Sequence, residues 1–83
     1  MVSRVKSWQF RKEPDRFGTG WVLIDHKGRV RANVWGNGTW HTWDEQGTGG
    51  ENSSCVNIRD AKDQVLAAVM RQGWIPFFEL TYE

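Results

Sequence analysis

Two turn signals about ten residues apart divide the centre of the sequence into three short segments. The first, DHKG at 25–28, has Asp at its first position and Gly at its fourth, which favours a type I turn followed by a left-handed glycine. The second, NG at 37–38, favours a two-residue type I′ turn, because both central residues must adopt positive φ. The flanking segments are rich in β-branched and aromatic residues. The sequence therefore predicts an antiparallel three-stranded meander over about 20–25, 29–35 and 39–44.

Counting outward from the two turns predicts the register, because side chains alternate between the faces of a strand. The first predicted face collects Val22, Ile24, Val30, Ala32, Val34, His41 and Trp43. The second collects Trp21, Leu23, Asp25, Arg29, Arg31, Asn33, Trp35, Trp40, Thr42 and Asp44. Opposite charges are predicted to meet across strands as the pairs Asp25–Arg29 and Arg31–Asp44.

One amphipathic helix is predicted over about 58–72. Asn57 is a suitable N-cap, and Gly73 is positioned as the left-handed residue that ends a helix. Apolar residues recur near helical spacing at Ile58, Ala61, Val65, Leu66, Val69 and Met70. We expect the helix to pack on the face of Val22, Ile24, Val30, Val34 and Trp43. The sequence thus predicts an α+β fold that forms a single domain over 1–83.

The remaining segments complete the predicted architecture. The stretch 45–54 has three glycines, two serines and no apolar residue, which is typical of a mobile loop. Residues 4–10 are expected to add a strand of unknown register. Residues 74–82 are expected to lie extended at a sheet edge, because Pro76 cannot donate a ladder hydrogen bond. These terminal segments either cover the second predicted face or leave it open, and both arrangements fit the sequence.

Composition narrows the classes of protein to consider. Cys55 is the one cysteine of the chain, so no internal disulfide forms. The N-terminal residues lack a signal-peptide pattern, and no apolar run reaches the roughly 20 residues of a membrane span. A soluble, cytoplasmic protein without membrane contact is therefore expected. The net charge is +1, yet residues 1–43 hold eight Lys/Arg against three Asp/Glu, and residues 44–83 hold three against seven.

The sequence contains no clear catalytic or metal-binding motif. Nucleophilic catalysis would require Cys55 or a serine beside a base, and the two histidines are His26 in a predicted turn and His41 on the predicted sheet. The sequence contains no Cys-x-x-Cys pair and no two neighbouring histidines that would suggest a metal site. We therefore expect no enzyme, no metal and no cofactor.

The second predicted face is the candidate binding surface. It combines tryptophans with arginines, the residues most enriched at the energetic centres of protein interfaces. The candidate binding residues are Trp21, Arg29, Arg31, Trp35 and Trp40. The sequence favours a small binding module with a protein partner, because the net charge is close to zero. Single-stranded nucleic acid, held by tryptophan stacking and arginine contacts, is the alternative, and a small enzyme is the second alternative.

The layout of residues 21–72 resembles that of small proteins encoded by phages and mobile elements, including some anti-CRISPR proteins. The shared features are a hairpin such as IDHKGRVRANV, a Gly/Ser-rich loop, and an alanine-containing helix such as RDAKDQVLAAVMRQG. The resemblance implies a compact, non-enzymatic protein that blocks or redirects a larger host assembly. Many such inhibitors are strongly acidic mimics of DNA, and this chain, at +1, departs from that pattern.

Overall fold

The computed structural model describes residues 8–74, which form one five-stranded sheet and one helix. The strands are β1 (Gln9–Asp15), β2 (Gly18–Ile24), β3 (Val30–Val34), β4 (Thr39–Trp43) and β5 (Gly49–Ser54), followed by α1 (Ile58–Arg71). All neighbouring strands are antiparallel and lie in chain order, so the sheet is a continuous meander. The predicted α+β class, with three central strands and extra strands around them, is confirmed.

The turns on either side of β3 share one geometry. In the turn after β2, the Asp25 N–H donates to the Arg29 carbonyl at 3.0 Å and Gly28 has φ +83°. This is the predicted type I turn with a left-handed glycine. In the turn after β3, the Trp35 N–H donates to the Thr39 carbonyl at 2.8 Å. Asn37 does not adopt positive φ, so the predicted type I′ turn at Asn37-Gly38 is wrong.

This second turn and a bulge together change the register of β3. Arg31 is an extra residue opposite β2, so Leu23 pairs with Ala32, and the predicted pair Val22–Ala32 is wrong. The longer turn moves the other side of β3 by one residue as well, so that Val34 pairs with Trp40. Because a slip of one residue reverses the faces, the β3 side chains from Ala32 to Val34 point opposite to the prediction, whereas Val30, which precedes the bulge, keeps its predicted side with Ile24.

The helix packs on the face of the sheet that carries Leu23 and Trp40. The buried core of the described residues contains Trp8, Leu23, Ala32, Val34, Trp40, Ala61, Val65, Ala68 and Val69. The prediction that α1 covers Val22, Ile24, Val30, Val34 and Trp43 is therefore wrong for all except Val34. The reason lies in β3: once its phase reverses, Ala32 and Val34 join Leu23, which makes that face the more apolar one.

Local sequence sets both ends of the helix, as predicted. The Asn57 side chain accepts a hydrogen bond from the Asp60 N–H at 2.8 Å, which satisfies one of the free N–H groups of the first turn. Gly73 has φ +75°, and its N–H donates to the Met70 carbonyl at 3.0 Å. The Trp74 N–H donates to the Val69 carbonyl at 3.1 Å, which completes a Schellman motif.

The segment predicted as a mobile loop contributes a strand. Residues 45–48 form a turn, whereas Gly49–Ser54 is β5, so the prediction for 45–54 is wrong over most of its length. The buried Thr42 holds this polar strand: its hydroxyl accepts from the Glu51 N–H at 2.9 Å and also from the Gln72 side chain at 3.3 Å.

The terminal predictions are only partly covered by the described residues. Strand β1 begins at Gln9, within the segment 4–10 that was expected to add a strand. Residues 4–7, and the predicted extended segment from 75 to 82 with Pro76, lie outside the described residues. Between residues 8 and 74, no helix is both long and apolar enough to cross a membrane.

Candidate functional site

The sheet has one face that α1 covers and one that no described element covers. Strand alternation and the observed pairing place Val22, Ile24, Val30, Asn33, Trp35, His41 and Trp43 on the second of these, which we call the open face. Its three aromatic side chains are all half-buried. Two of the six tryptophans of the chain therefore belong to this face, and neither is part of the core under the helix.

A hydrogen bond and a ring contact fix the aromatic groups in the middle of the open face. The Trp43 indole N–H donates to the Asn33 side-chain oxygen at 2.8 Å. The His41 ring stacks on the Trp43 ring with centroids 4.2 Å apart and an interplanar angle of 28°. Trp35 lies at the end of β3 on the same side as Asn33. These contacts hold the His41 and Trp43 rings in place before any ligand arrives, which reduces the entropy lost on binding.

His41 also carries an unpartnered polar atom. Its Nε2 is buried and has no hydrogen-bond partner within the described part of the chain. Gly49 lies beside the ring, and a Cβ added there would come 2.6 Å from Nε2. A larger residue at position 49 would therefore displace the imidazole from Trp43. Gly49, which has no side chain, therefore leaves room for the His41 ring to stack on Trp43.

The charges on and around the open face nearly balance. The register places Arg11 and Glu13 of β1 on this side of the sheet, one of each sign. At the end of the sheet, Glu45 forms exposed ion pairs with Lys27 and Arg29, each at 3.6 Å. Among the described residues, the cations on and beside this face are therefore accompanied by carboxylates, which disfavours the binding of a polyanion.

The five predicted binding residues do not form one open surface. Trp40 and Arg31 are buried, with 3% and 4% exposure, and Trp21 packs against the core from the helix side. Arg29 is exposed and paired with Glu45. Trp35 alone lies on the open face. The prediction that they share an exposed face is wrong for two reasons. Helix α1 covers the side of the sheet that carries Trp21 and Trp40, and the observed register of β3 places Trp35 on the opposite side.

Arg31 has a structural position instead. Its guanidinium donates to the Asp25 carboxylate at 3.2 Å and to the Trp43 carbonyl at 2.9 Å. It also lies over two indole rings, 4.6 Å from the centroid of Trp8 and 4.8 Å from that of Trp74. The predicted charge pairs are replaced: Asp25 binds the Arg31 side chain and the Arg29 backbone, and Asp44 accepts from backbone N–H groups of its own turn.

The pKa of Asp25 reflects this environment. Burial of the carboxyl raises its pKa, but hydrogen bonds from the backbone N–H groups of Arg29 and Lys27 lower it. The Arg31 guanidinium lowers it further, and the net result is a pKa below the ordinary value of 3.8. Asp25 is therefore ionised at neutral pH, and the buried pair carries a full charge on each side.

The catalytic candidates are not brought together by any contact of the described residues. Cys55 is half-buried and lines a shallow cleft with Ser54, Val56, Asp60, Asp63 and Gln64, a set that includes no histidine. No group of three His, Cys, Asp or Glu side chains between residues 8 and 74 could hold a metal ion. The expectation that the protein is not an enzyme stays a prediction.

Sequence reasoning grouped His41 and Trp43 correctly on one face but assigned that face to the core. Part of the error could have been found in the sequence. Gly38 follows Trp35 at the same spacing as Gly28 follows Asp25, and a turn of that kind at Trp35–Gly38 places Trp35 with His41.

No protein-family model matches the sequence, and comparisons with curated proteins and with solved structures found no match.

Proposed function

We propose that the protein is a non-enzymatic binding module that docks on a larger protein assembly through its open face. The observation that carries the proposal is the half-buried, prearranged pair of His41 and Trp43, with Trp35 on the same face, which no described element covers. Tryptophans that are partly exposed and held in one geometry are typical energetic centres of protein interfaces.

The distribution of charge supports a protein partner over a nucleic acid. A polyanion requires several unpaired cations along its path. On this side of the sheet, Arg11 is accompanied by Glu13, and Arg29 is paired with Glu45. Arg31 is buried and paired with Asp25. Single-stranded nucleic acid is therefore the alternative partner, which the experiment below tests.

The resemblance of residues 21–72 to small phage proteins suggests what kind of assembly the partner belongs to. A protein of that type inhibits or redirects a larger host complex, and a rigid aromatic face of a small domain suits such a steric role. A bacterial lysate is accordingly the source in which to search for the partner. The inhibitory role and the cytoplasmic location both stay part of the proposal.

Affinity capture from a bacterial lysate, with and without nuclease, identifies the partner, and purified variants then test the face. We expect Trp43→Ala and Trp35→Ala each to lower affinity by about 2 kcal/mol or more, roughly 30-fold. Arg59→Ala is the matched control, because Arg59 is exposed on the helix at the other side of the sheet and its loss should leave affinity unchanged. Circular dichroism spectra of each variant exclude unfolding as the cause.

Salt titration separates the two classes of partner. A desolvated aromatic interface changes little between low and physiological salt, whereas affinity that depends on phosphate contacts falls steeply. If nuclease abolishes capture and salt steeply lowers the affinity, the partner is a nucleic acid and the proposal of a protein partner is wrong. Unchanged affinity of both folded tryptophan variants would exclude the open face.

A further inference from the structure

A second cluster of charged and aromatic side chains lies on the helix side of the sheet, away from the open face. The ammonium group of Lys62, on α1, lies 3.8 Å from the ring centroid of Trp21 and 4.9 Å from that of Phe10. Lys12 pairs with Trp21 in the register of β1 and β2, and its ammonium lies 5.7 Å from the same Trp21 centroid. Two cations therefore share one indole ring.

Neither lysine forms a salt bridge with a carboxylate of the described residues. The salt bridges within residues 8–74 involve Lys27, Arg29, Arg31 and Arg71 as cations, and neither Lys12 nor Lys62 is among them. The neighbouring Asp63 interacts with Lys62 electrostatically. Two ammonium groups near one ring provide positive charge and hydrogen-bond donors for an anion.

Burial adds to the unsatisfied charge. Lys62 is half-buried, and partial burial lowers its pKa from the ordinary value of 10.5, although Asp63 opposes the shift. Among the described residues, the side chain thus loses hydration without gaining a salt-bridge partner. An oxyanion bound here would supply one.

We propose that Lys12 and Lys62, supported by Trp21 and Phe10, form a binding site for a doubly charged oxyanion of the phosphate type. Two ammonium groups match the charge of a phosphate dianion better than that of a single carboxylate. Each ammonium offers donors that can turn toward phosphate oxygens, and lysine binds phosphate as a point charge. The ammonium groups lie over the faces of these aromatic rings. The site is independent of the open face, because it lies across the sheet from Trp35 and Trp43.

The test uses the whole chain and inorganic phosphate as the probe. The ε-methylene signals of the lysines are followed by NMR near neutral pH while sodium phosphate is added, with sodium chloride at equal ionic strength as the reference. We expect saturable shifts at Lys12 and Lys62, with half-saturation on the order of 1 mM, the range of weak ion pairing near a protein surface. Lys27, which is paired with Glu45, should show no saturable shift.

Variants connect the signal to the site. Lys12→Gln is expected to weaken phosphate binding about tenfold, and because Lys12 is exposed on an edge strand this variant should fold normally. Lys62→Met retains the apolar stem over Trp21 and should abolish saturation at Lys12. Lys27→Gln is the control and should bind phosphate like the unmodified chain. Equal responses at Lys12, Lys27 and Lys62, or equal effects of phosphate, acetate and chloride, would overturn the proposal.

Discussion

The two faces of the sheet divide the tryptophans of the chain between two roles. The covered face and its margins hold Trp8, Trp21, Trp40 and Trp74, which pack in or against the core under α1. The open face holds Trp35 and Trp43, and there Asn33 accepts from Trp43 and His41 stacks on it. Tryptophan by itself therefore does not mark a face as core or as binding surface; the position of α1 separates the two groups.

One strand decides which face is covered. Relative to a regular meander, the bulge at Arg31 and the longer turn after Trp35 each move β3 by one residue, and the two changes cancel between β2 and β4. Only the side chains that follow the bulge, from Ala32 to Trp35, change sides. That change places Ala32 and Val34 with Leu23, and α1 packs where the small and branched side chains are collected. The difference between the faces is thus a consequence of local backbone irregularity.

The buried ion pair at the end of the covered face should give the largest effect. Arg31→Gln would leave the Asp25 carboxylate buried without its charged partner, and we expect a loss of about 3–5 kcal/mol in the free energy of unfolding, measured with urea. Arg29→Gln is the matched control, because its ion pair with Glu45 is exposed and should contribute less than about 1 kcal/mol. Similar losses in the two variants would mean that Arg31 is not buried as described.

Much of the fold could be predicted because its signals are local. The N-cap at Asn57 and the glycine end at Gly73 fixed the helix to within about one residue, and the hairpin at 25–28 was recognised from its Asp and Gly. Strand β5 could not be predicted, since its polar residues have low intrinsic strand preference. Its stability comes from Thr42, a residue of another strand that is brought near by the fold.

The candidate site could be predicted only in part, for a different reason. Both faces carry tryptophans in the predicted and in the observed register, so hydrophobicity does not show which one the helix covers. The observed register depends on a bulge at Arg31 that no local sequence pattern marks. The guanidinium of this residue contacts Asp25 and the Trp43 carbonyl, groups that only the fold brings near. The grouping of His41 with Trp43 was right, and the side on which they lie was wrong.

Neighbouring residues of β2 provide a direct comparison of the faces. Leu23 is buried under the helix with 1% exposure, whereas Ile24 is half-buried on the open face. We expect Leu23→Ala to cost about 2–5 kcal/mol in the free energy of unfolding and Ile24→Ala only about 1 kcal/mol. Urea denaturation of both variants measures the difference. An equal or larger loss for Ile24→Ala would reverse the assignment of the two faces.

Lowering the pH should reduce the free energy of unfolding through protonation of Asp25. The loss should be smaller than that caused by Arg31→Gln, because a protonated carboxyl still accepts hydrogen bonds. Its pKa in the folded state lies below the ordinary value of 3.8, so the unfolded chain takes up the proton first as the pH falls. The stability that Asp25 contributes is therefore complete above the unfolded pKa and is lost as the pH falls through the folded pKa.

We expect urea midpoints to decrease between about pH 5 and pH 2. Asp25→Asn, which is less stable at neutral pH, should show a flatter profile over this range. Glu13→Gln, which removes an exposed carboxylate of β1 on the side of the open face, should keep the profile of the unmodified chain. Parallel profiles for Asp25→Asn and the unmodified chain would show that acid acts elsewhere in the molecule.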